Sequence, residues 1–264
     1  MKYEKIYPRA SLQQFVQFFW DFEGDFTEEP AYSLLSVASV GPKLAFQYIP
    51  DMSIEKDGKL TELFTSGFQA QTNASYQLLA RQKVAVFGVY FQPYAIPFLF
   101  NVPSYAIINQ NIAIADLLGE EGRRLEDQMM SCKNPTERVA LISAYLEHKL
   151  QNSRLKIEGI TKAIHDISMG KGNISMQSLL NNQFVSQRQF ERNFKMLTGY
   201  SPKYFSRIIR FEHCITQGYN AGASLTELAL SSGYFDQAHM IREFREFTGK
   251  KPSSYFAEDL SLFF

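Results

Sequence analysis

Long polar side chains recur at matching positions in two segments of the chain. Residues 188–205 read RQFERNFKMLTGYSPKYF, and residues 238–255 read AHMIREFREFTGKKPSSY. A shift of fifty residues superimposes one segment on the other. The matched pairs are Arg192–Arg242, Phe194–Phe244, Lys195–Arg245, Thr198–Thr248, Gly199–Gly249 and Pro202–Pro252. Two copies of one unit indicate that one recognition task is performed twice, side by side.

The polar residues of both segments suit hydrogen bonding to the bases of DNA. In the major groove an arginine can donate a forked pair of hydrogen bonds to guanine, and glutamine or asparagine can pair with adenine. The candidate base-contacting residues are Arg188, Gln189, Glu191 and Arg192 in the first copy, and Gln237, His239 and Arg242 in the second. Other cations lie where they could contact phosphates. These are Lys195, Lys203, Arg207, Arg245, Lys250 and Lys251.

An ordinary solvated helix surface is the alternative interpretation for any one of these residues. Glu191 and Lys195 stand four residues apart, and so do Arg242 and Glu246. This is the spacing of common surface ion pairs on a helix. Because both copies keep a basic residue at the same offset, the repetition favours recognition for the pair.

Helices are predicted to position these residues, because apolar residues recur at helical spacing in both copies. The apolar sets are Phe190, Phe194 and Leu197, and Met240, Phe244 and Phe247. Favourable capping residues bound each helix. They are Ser186 and Asp236 at the N-termini, and Gly199 and Gly249 at the C-termini. A shorter helix is expected within residues 175–186 and another within residues 224–236, which completes two helix-turn-helix patterns.

The stretch GYFDQAHMIREFREFTGKKPSSY, residues 233–255, resembles the signature of the AraC/XylS family of bacterial transcription regulators. The resemblance covers residues 156–258. It implies two helix-turn-helix subdomains joined by a linking helix from about Pro202 to Gly218, with the recognition helices in two successive major grooves of DNA. By position it assigns base reading to Arg188, Glu191, Arg192, Gln237, His239 and Arg242.

Two positions depart from the usual pattern of that family. Leu180 stands where a small residue is usual, which bears on the packing of the first motif. Glu191 stands where glutamine or serine is usual. A glutamate facing DNA needs a cytosine amine from which it can accept a hydrogen bond, or an arginine that it can orient.

The first half of the chain predicts a different fold. Short apolar runs between turn residues predict strands at 43–49, 64–69, 75–80 and 83–91. Amphipathic patterns predict helices at 11–22, 114–130 and 135–150. The expected fold class is therefore α+β for residues 1–152, as an antiparallel sheet or barrel plus helices, and all-α for residues 153–264. The segment FGVYFQPYAIPFLFNVP resembles an uncharacterised domain that often precedes AraC-type DNA-binding halves, which implies a regulatory role without naming a ligand.

Two roles stay open for this first half. It could hold a small-molecule effector, for which a barrel mouth is a common site. It could instead serve only for dimerisation or for contact with proteins such as RNA polymerase. The aromatic residues that could line a ligand site, each of which could equally belong to the core, are Trp20, Tyr48, Tyr90 and Tyr94. The apolar stripe of the helix at 135–150 could likewise pack on its own sheet or pair two protomers.

Composition limits the remaining function classes. The 264 residues carry 27 basic and 27 acidic side chains, but residues 155–264 carry 13 basic and 10 acidic ones, which is the sign expected at a DNA-binding end. Cys132 and Cys214 are isolated, which indicates neither a disulfide framework nor a zinc cluster. The N-terminus lacks the apolar core of a signal peptide, and no apolar run reaches about twenty residues. We therefore expect a cytoplasmic protein without a membrane segment.

Motifs for catalysis, metal binding or cofactor binding are not found in the sequence. The four histidines are scattered, and no glycine-rich nucleotide-binding loop occurs. We therefore expect no enzyme, no metal and no cofactor. A remote alternative is the repair of alkylated DNA, which some proteins with this DNA-binding module perform through a reactive cysteine in a zinc-bound cluster. That chemistry needs several cysteines in the first half, where Cys132 stands alone.

Overall fold

Two antiparallel sheets build the first half of the chain in this computed structural model, which describes residues 1–28, 32–153, 155, 158–180, 185–220 and 224–257. The strands are β1 Lys2–Ile6, β2 Val16–Asp25, β3 Tyr32–Ser36, β4 Lys43–Ile49, β5 Met52–Lys56, β6 Lys59–Glu62, β7 Ser66–Gln69, β8 Tyr76–Ala80, β9 Lys83–Phe91 and β10 Asn111–Ala113. The larger sheet has the order β1-β2-β9-β4-β7-β10 and the smaller the order β3-β8-β5-β6. The described strands thus confirm an antiparallel arrangement, but as two sheets rather than a closed barrel.

Helices cover one face of the larger sheet and form the second half. They are α1 Ala95–Phe100, α2 Ile114–Leu118, α3 Glu120–Met130, α4 Pro135–Gln151, α5 Glu158–Met169, α6 Met176–Leu180, α7 Gln187–Thr198, α8 Pro202–Asn220, α9 Leu225–Ser231, α10 Gln237–Thr248 and α11 Pro252–Phe256. A 3-10 turn spans Ser104–Ala106. The predicted combination of an α+β half and an all-helical half is confirmed. Among the described residues, none of the helices is both long and apolar enough to cross a membrane.

The predicted helix at 11–22 is wrong, because Val16–Asp25 forms strand β2 between β1 and β9. This run is rich in aromatic residues that are covered on both faces of the sheet. Phe19 is fully buried under the helices, while Trp20 lies on the opposite face. A strand covered on both sides has a continuous apolar run, and periodicity alone does not separate such a run from a buried helix.

Other predicted elements agree more closely. The strands expected at 43–49 and 83–91 are β4 and β9. The helix expected at 114–130 is divided into α2 and α3 at Gly119, which has the left-handed φ of 61°. Glycine tolerates this conformation, and it ends one helix and begins the next.

Successive side chains along the central strands point to opposite faces, so the larger sheet has two faces with different residues. On β4, Leu44 and Phe46 pack beneath the helices with the fully buried Phe87 of β9. Lys43 and Ala45 point to the opposite face, towards the smaller sheet. The helix-covered face is a closed apolar core, whereas the opposite face borders a cavity.

Helix α4 is covered by its own half of the chain. Asn134 caps it by accepting a hydrogen bond from the backbone N–H of Glu137 at 2.9 Å, and Pro135 takes the first helical position. Ile142 and Leu146 are 0 % exposed in the core beside α1 and α3. Of the two alternatives for the apolar stripe, the structure shows packing of Ile142 and Leu146 on their own domain.

One hydrophobic cluster contains residues from both halves of the chain. Ala38 and Val40, from the segment between β3 and β4, are buried in the same cluster as Phe211 of α8 and Phe247 of α10. The backbone N–H of Ala38 also donates to the carbonyl oxygen of Phe247 at 3.4 Å. Folding of the helical half is therefore tied to this segment of the first half.

Candidate nucleic-acid interface and interdomain cavity

The first helix-turn-helix unit consists of α6 and α7. Residues 181–184, which connect the two helices, lie outside the described residues. Helix α7 begins at Ser186, whose side chain accepts a hydrogen bond from the backbone N–H of Gln189 at 3.3 Å. It ends at Gly199, which has a left-handed φ of 81°. Phe190, Phe194 and Leu197 are buried, as the helical spacing predicts.

The second unit repeats this plan with α9 and α10. Ser224 and Glu227 form a reciprocal capping box at the start of α9. Asp236 caps α10 by accepting a hydrogen bond from the backbone N–H of His239 at 2.6 Å. The helix ends at Gly249, with a left-handed φ of 71°. Caps at matching positions therefore set two recognition helices of equal length, twelve residues each.

Helix α8 joins the two units. The Ser201 side chain accepts a hydrogen bond from the backbone N–H of Tyr204 at 3.3 Å, which supports its predicted role as the N-cap before Pro202. Phe205, Ile208 and Phe211 are fully buried against both units. A single rigid helix with a continuous apolar face thus fixes the two recognition helices relative to each other.

A family model described as a helix-turn-helix domain matches residues 181–258. The C-terminal part of the chain is a helix-turn-helix domain of the AraC type. A second family model, described as a domain of unknown function (DUF6597), matches residues 4–113, which contain the described strands apart from the first two residues of β1. This bears out the predicted combination of an uncharacterised N-terminal domain with an AraC-type DNA-binding half.

Solved structures show a loose overall similarity. ToxT from Vibrio cholerae is 11% identical, with 90% of this chain and 97% of that chain covered, at a TM-score of 0.48. The AraC-like transcriptional activator CuxR is 15% identical, with 84% and 89% covered, at a TM-score of 0.29. The xylose-binding transcription activator XylR is 16% identical, with 47% and 39% covered, at 0.36. A comparison with curated proteins gave no match.

Exposed cations line α7 of the AraC-type domain. Arg188, Arg192 and Lys195 are exposed, and none of them forms an ion pair with another described residue. Arg192 donates from Nη2 to Gln189 Oε1 at 2.7 Å, and Gln189 donates from Nε2 to Asn193 Oδ1 at 2.8 Å. This chain of side chains holds the Arg192 guanidinium in one orientation on the outer face.

Glu191 has a partner other than the one expected from spacing. Gln187 donates from Nε2 to Glu191 Oε1 at 2.8 Å, and no ion pair with Lys195 forms within the described residues. The carboxylate is therefore held on the surface of α7 by an amide. Lys195 keeps its charge available to solvent or to a phosphate.

Helix α10 presents Arg242 and Arg245 in the same way. Both are exposed, and neither has an ion-pair partner among the described residues. Gln237 accepts a hydrogen bond from Thr226 Oγ1 of α9 at 2.9 Å. His239 is half-buried, with its ring edge-on to Tyr234 at 5.3 Å. Lys250 follows the helix end, and its backbone N–H donates to Thr248 Oγ1 at 3.0 Å.

Glu243 of α10 is buried although it is charged. It is 4 % exposed, and its Oε1 accepts from Arg207 Nε of α8 at 2.6 Å. Arg207 also donates from Nη2 to Glu246 at 2.5 Å, so Glu246 pairs with Arg207 and not with Arg242. Arg207 was expected to contact phosphates, but it instead joins α8 to α10 through these two ion pairs. A signal was present in the sequence, because position 243 lies on the same helix face as the buried Met240 and Phe247.

A cavity of about 430 Å³ lies between the two sheets, and the AraC-type domain forms part of its wall. Trp20 and Tyr90 line its wall on the larger sheet, and Leu34 and Leu78 line it on the smaller sheet. The helical half contributes Glu212, Ile215 and Thr216 of α8 and Tyr255 of α11. A ligand in this cavity would therefore contact both halves of the protein.

Two glycines let the aromatic residues lie flat in this wall. A Cβ atom at Gly88 would stand 2.0 Å from the Trp20 ring, and one at Gly41 would stand 2.2 Å from the Tyr90 ring. Tyr90 also shares a hydrogen bond of 2.9 Å with Ser39 Oγ. Any larger residue at either position would clash with an aromatic ring of the cavity wall.

The other two aromatic candidates lie outside the cavity. The Tyr48 hydroxyl donates to the carbonyl oxygen of Met129 at 2.8 Å on the helix-covered face, and the Arg138 guanidinium lies 3.6 Å from its ring centre. The Tyr94 hydroxyl donates to the carbonyl oxygen of Gln14 at 2.7 Å, and its ring packs against Phe98. Strand alternation places Tyr48 on the face opposite the cavity.

Three polar residues of the cavity were not among the sequence candidates. Lys43 and Gln47 share the cavity face of β4, and Glu212 enters from α8. Burial lowers the pKa of the Lys43 ammonium, and the nearby Glu212 carboxylate partly opposes this. Burial raises the pKa of Glu212 to about 7, against hydrogen bonds from Ser39 and the backbone of Val40. Alternation along the predicted strand could have placed Lys43, but no local signal joins it to Glu212.

Hydrogen bonds dock the AraC-type domain on the first half at several points. The backbone N–H of Val40 donates to Glu212 Oε1 at 3.0 Å, and Ser104 Oγ donates to the carbonyl oxygen of Leu197 at 2.7 Å. Asn73 Nδ2 donates to the Tyr204 hydroxyl at 3.1 Å. These contacts leave the exposed cations of α7 and α10 uncovered.

Proposed function

We propose that the protein is a cytoplasmic bacterial transcription regulator that binds duplex DNA sequence-specifically, with α7 and α10 in two successive major grooves. The observation that carries this proposal is the pair of equally capped recognition helices, which expose Arg192 and Arg242 at the same offset. We assign base reading to Arg188, Gln189, Glu191, Arg192, Gln237, His239 and Arg242. We assign phosphate contacts to Lys195, Arg245 and Lys250.

The full chain is the right material for a test, because the core of the helical half includes Ala38 and Val40. DNA sites are first selected from a random pool, and affinity is then measured over a range of salt concentrations. We expect log affinity to fall linearly with log salt, since phosphate contacts release counterions. An Arg123→Ala variant, changed at an exposed position of the first half, should bind as the wild type does. No binding at low salt, or affinity that is independent of salt, contradicts the proposal.

We further propose that a small molecule in the cavity controls DNA binding. A volume of about 430 Å³ lies within the range of ligand sites. Because α8 forms part of the wall, occupancy acts directly on the helix that spaces the two recognition helices. The competing function, in which the first half only dimerises or contacts proteins such as RNA polymerase, predicts that filling the cavity leaves DNA binding unchanged.

A substitution that fills the cavity separates these two functions. Ala45 faces the cavity beside Lys43, and Ala45→Leu should occupy part of the volume. Ala85 lies on the neighbouring strand β9, outside the cavity lining, and Ala85→Val is the matched control. An effect of the first variant alone on affinity for the selected DNA site supports effector control. Equal affinity of both variants and the wild type, with normal folding, contradicts it.

A further inference from the structure

We propose that the cavity binds an organic anion with an apolar body, whose acid group pairs with Lys43 and competes there with the Glu212 carboxylate. This inference rests on the proposed effector function and names the chemical class of the effector. It also states how binding reaches the AraC-type domain, through a residue of α8. The cavity combines the buried cation Lys43, the internal acid Glu212 and an apolar lining, while its second lysine, Lys5, is exposed.

Lys43 is an ammonium group in an apolar setting. Its strand position directs it to the cavity face, where Nζ lies 5.4 Å from the centre of the Tyr90 ring. No carboxylate oxygen of the described residues lies within the 4.0 Å of an ion pair with it. A buried charge without a direct counter-ion is costly, so a ligand that brings an anion to Lys43 gains the energy of a missing pair.

Glu212 is the internal acid whose field reaches Lys43. Its Oε1 is held by the backbone N–H of Val40 at 3.0 Å, and it lies at the cavity wall. Because burial raises its pKa to about 7, part of the population is uncharged at neutral pH. The Lys43 charge is therefore only partly compensated from within the protein.

The rest of the cavity suits an apolar body with aromatic character. Phe18, Trp20 and Tyr90 present their rings on the larger sheet, and Phe18 and Tyr90 stack at 5.0 Å. Aromatic side chains favour flat or edge-on contacts with apolar rings. Gln47 offers one further polar group, since it is 1 % exposed and its Oε1 has no hydrogen-bond partner among the described residues. A ligand with one anionic end and an aromatic or aliphatic remainder matches this distribution.

The ligand anion and the Glu212 carboxylate compete for Lys43 because both are negatively charged. An anion beside Lys43 places a second negative charge near Glu212, which disfavours the ionised carboxylate at the wall. Glu212 belongs to the helix that spaces α7 and α10, so the ligand changes the charge of a carboxyl group that hydrogen-bonds α8 to the first half. The coupling is reciprocal, because linked binding equilibria affect each other equally. Removing the Glu212 charge should therefore strengthen binding of the anion.

Three probes with one body and different charges test the ligand class on the full-length wild type. They are indole-3-acetate, indole-3-ethanol and tryptamine, which carry an anionic, a neutral and a cationic end. Binding is measured by calorimetry and by the shift of the thermal unfolding midpoint. A parallel series pairs straight-chain carboxylates with their alcohols. We expect each acid to bind about tenfold more tightly than its alcohol. Tighter binding of tryptamine, equal binding of acids and alcohols, or no binding by any acid overturns the proposal.

Two variants test the residues. Lys43→Met should remove the preference for the acid over the alcohol, while the alcohol still binds. Glu212→Gln keeps the shape of the side chain and should tighten binding of the acid several-fold without changing that of the alcohol. Lys83→Met and Glu4→Gln change exposed charges outside the cavity and serve as matched controls. Weaker acid binding in Glu212→Gln would show cooperation instead of competition and would overturn the mechanism.

DNA binding is measured on the same proteins without a ligand, which separates this inference from the proposed function. If the wild type binds selected DNA but no probe, the ligand class fails and the regulator remains. If acids bind as expected but no DNA site can be selected, the regulator fails and the anion site remains. In the expected case, the acid and the Glu212→Gln substitution shift affinity for the selected DNA site in the same direction.

Discussion

The two helix-turn-helix units share a backbone plan but are stabilised by different polar contacts. In the second unit Glu243 is buried and receives a hydrogen bond from Arg207 of the linking helix. Asn193 occupies the equivalent position in the first unit, where it is half-buried and accepts a hydrogen bond from Gln189 of its own helix. The repeat therefore conserves caps and apolar positions, whereas the polar contacts have diverged. The second unit is joined to α8 by ion pairs, whereas no ion pair joins α8 to the described residues of the first unit.

The same divergence affects the recognition arginines. Arg192 is held by Gln189, while Arg242 has no hydrogen-bond partner among the described residues. His239 stands at the position equivalent to Gln189, but it faces Tyr234 and lies 3.6 Å from Glu243. The first unit thus presents an oriented arginine, and the second presents one that DNA must orient.

The largest expected effect comes from breaking the buried tie of the second unit. Glu243→Ala should lower the free energy of unfolding by about 3 kcal/mol, because it removes the buried carboxylate that pairs with Arg207 and leaves that partly buried guanidinium only the exposed Glu246. The matched change in the first unit, Asn193→Ala, should cost about 1 kcal/mol or less. Urea denaturation of both variants measures the difference. Equal losses would show that the two units are stabilised alike.

Arg242→Ala and Arg192→Ala should each reduce affinity for the selected DNA site by about 1–3 kcal/mol and relax preference at one base position. We expect the loss for Arg242 to be at least as large, because the second unit matches the family signature more closely. Affinity is measured on the selected site and on random DNA. Equal losses on both DNAs would reassign the arginines to phosphate contacts.

Gln189→Ala tests whether Gln189 orients Arg192, because its effect on DNA affinity should then depend on the presence of Arg192. In a double-mutant cycle the two substitutions of α7 should be non-additive. Gln189→Ala combined with Arg242→Ala should be additive, since those residues lie on different units. Additivity in both cycles would contradict an orienting role for Gln189.

A smaller effect is expected from pH on the stability of the fold. It concerns both units, because Glu212 lies on the helix that joins them. Burial holds the pKa of Glu212 near 7, above its ordinary value of 4.5, so protonation favours the docked fold. This contribution is complete below the ordinary pKa and is lost as pH rises through 7. Relative to Glu212→Gln, the wild type should lose about 1 kcal/mol of stability between pH 5 and pH 8 in thermal unfolding, after discounting for solvent in the cavity.

Lys43 and Tyr90 also lie near the Glu212 carboxylate and titrate with pH. The wild type is therefore compared with Glu212→Gln, which keeps both residues. The lowered pKa of buried Lys43 contributes a trend of opposite sign, and burial raises the pKa of Tyr90 beyond this range. Both residues are present in the wild type and in Glu212→Gln, so their direct effects largely cancel. Parallel pH curves for the two proteins would contradict the assignment to Glu212.

The smallest effect is expected at Lys250, which follows the end of α10. Lys250→Ala should weaken all DNA sequences alike by less than about 1 kcal/mol and reduce the salt slope by about one. Salt titrations on selected and random DNA measure both quantities. A loss confined to the selected site would make Lys250 a base-reading residue and would extend the second recognition surface beyond its helix.

Local signals in the sequence were sufficient for the helical half. Ser186, Asp236, Gly199 and Gly249 cap the two recognition helices as predicted, and the apolar residues at helical spacing are buried. Caps and periodicity act within one or two turns, so they need no knowledge of distant neighbours. The same holds for strands β4 and β9, which are bounded by turn residues.

Which residues are buried, and which elements cover them, could be seen only in the tertiary structure. The run at 11–22 became a strand because β1 and β9 flank it, and Glu243 became internal because Arg207 meets it from another helix. Tyr48 and Tyr90 were equivalent candidates until sheet register placed them on opposite faces.

Lys43 and Glu212 line the same cavity only because the linking helix docks on the open face of the larger sheet. Local sequence patterns were enough to predict the repeated recognition unit, its caps and its outward cations, since these depend on contacts between near neighbours. The cavity and its charges depend on contacts between residues far apart in the chain. No local pattern records such contacts, because the free energy of burial is set by whichever element finally covers the site.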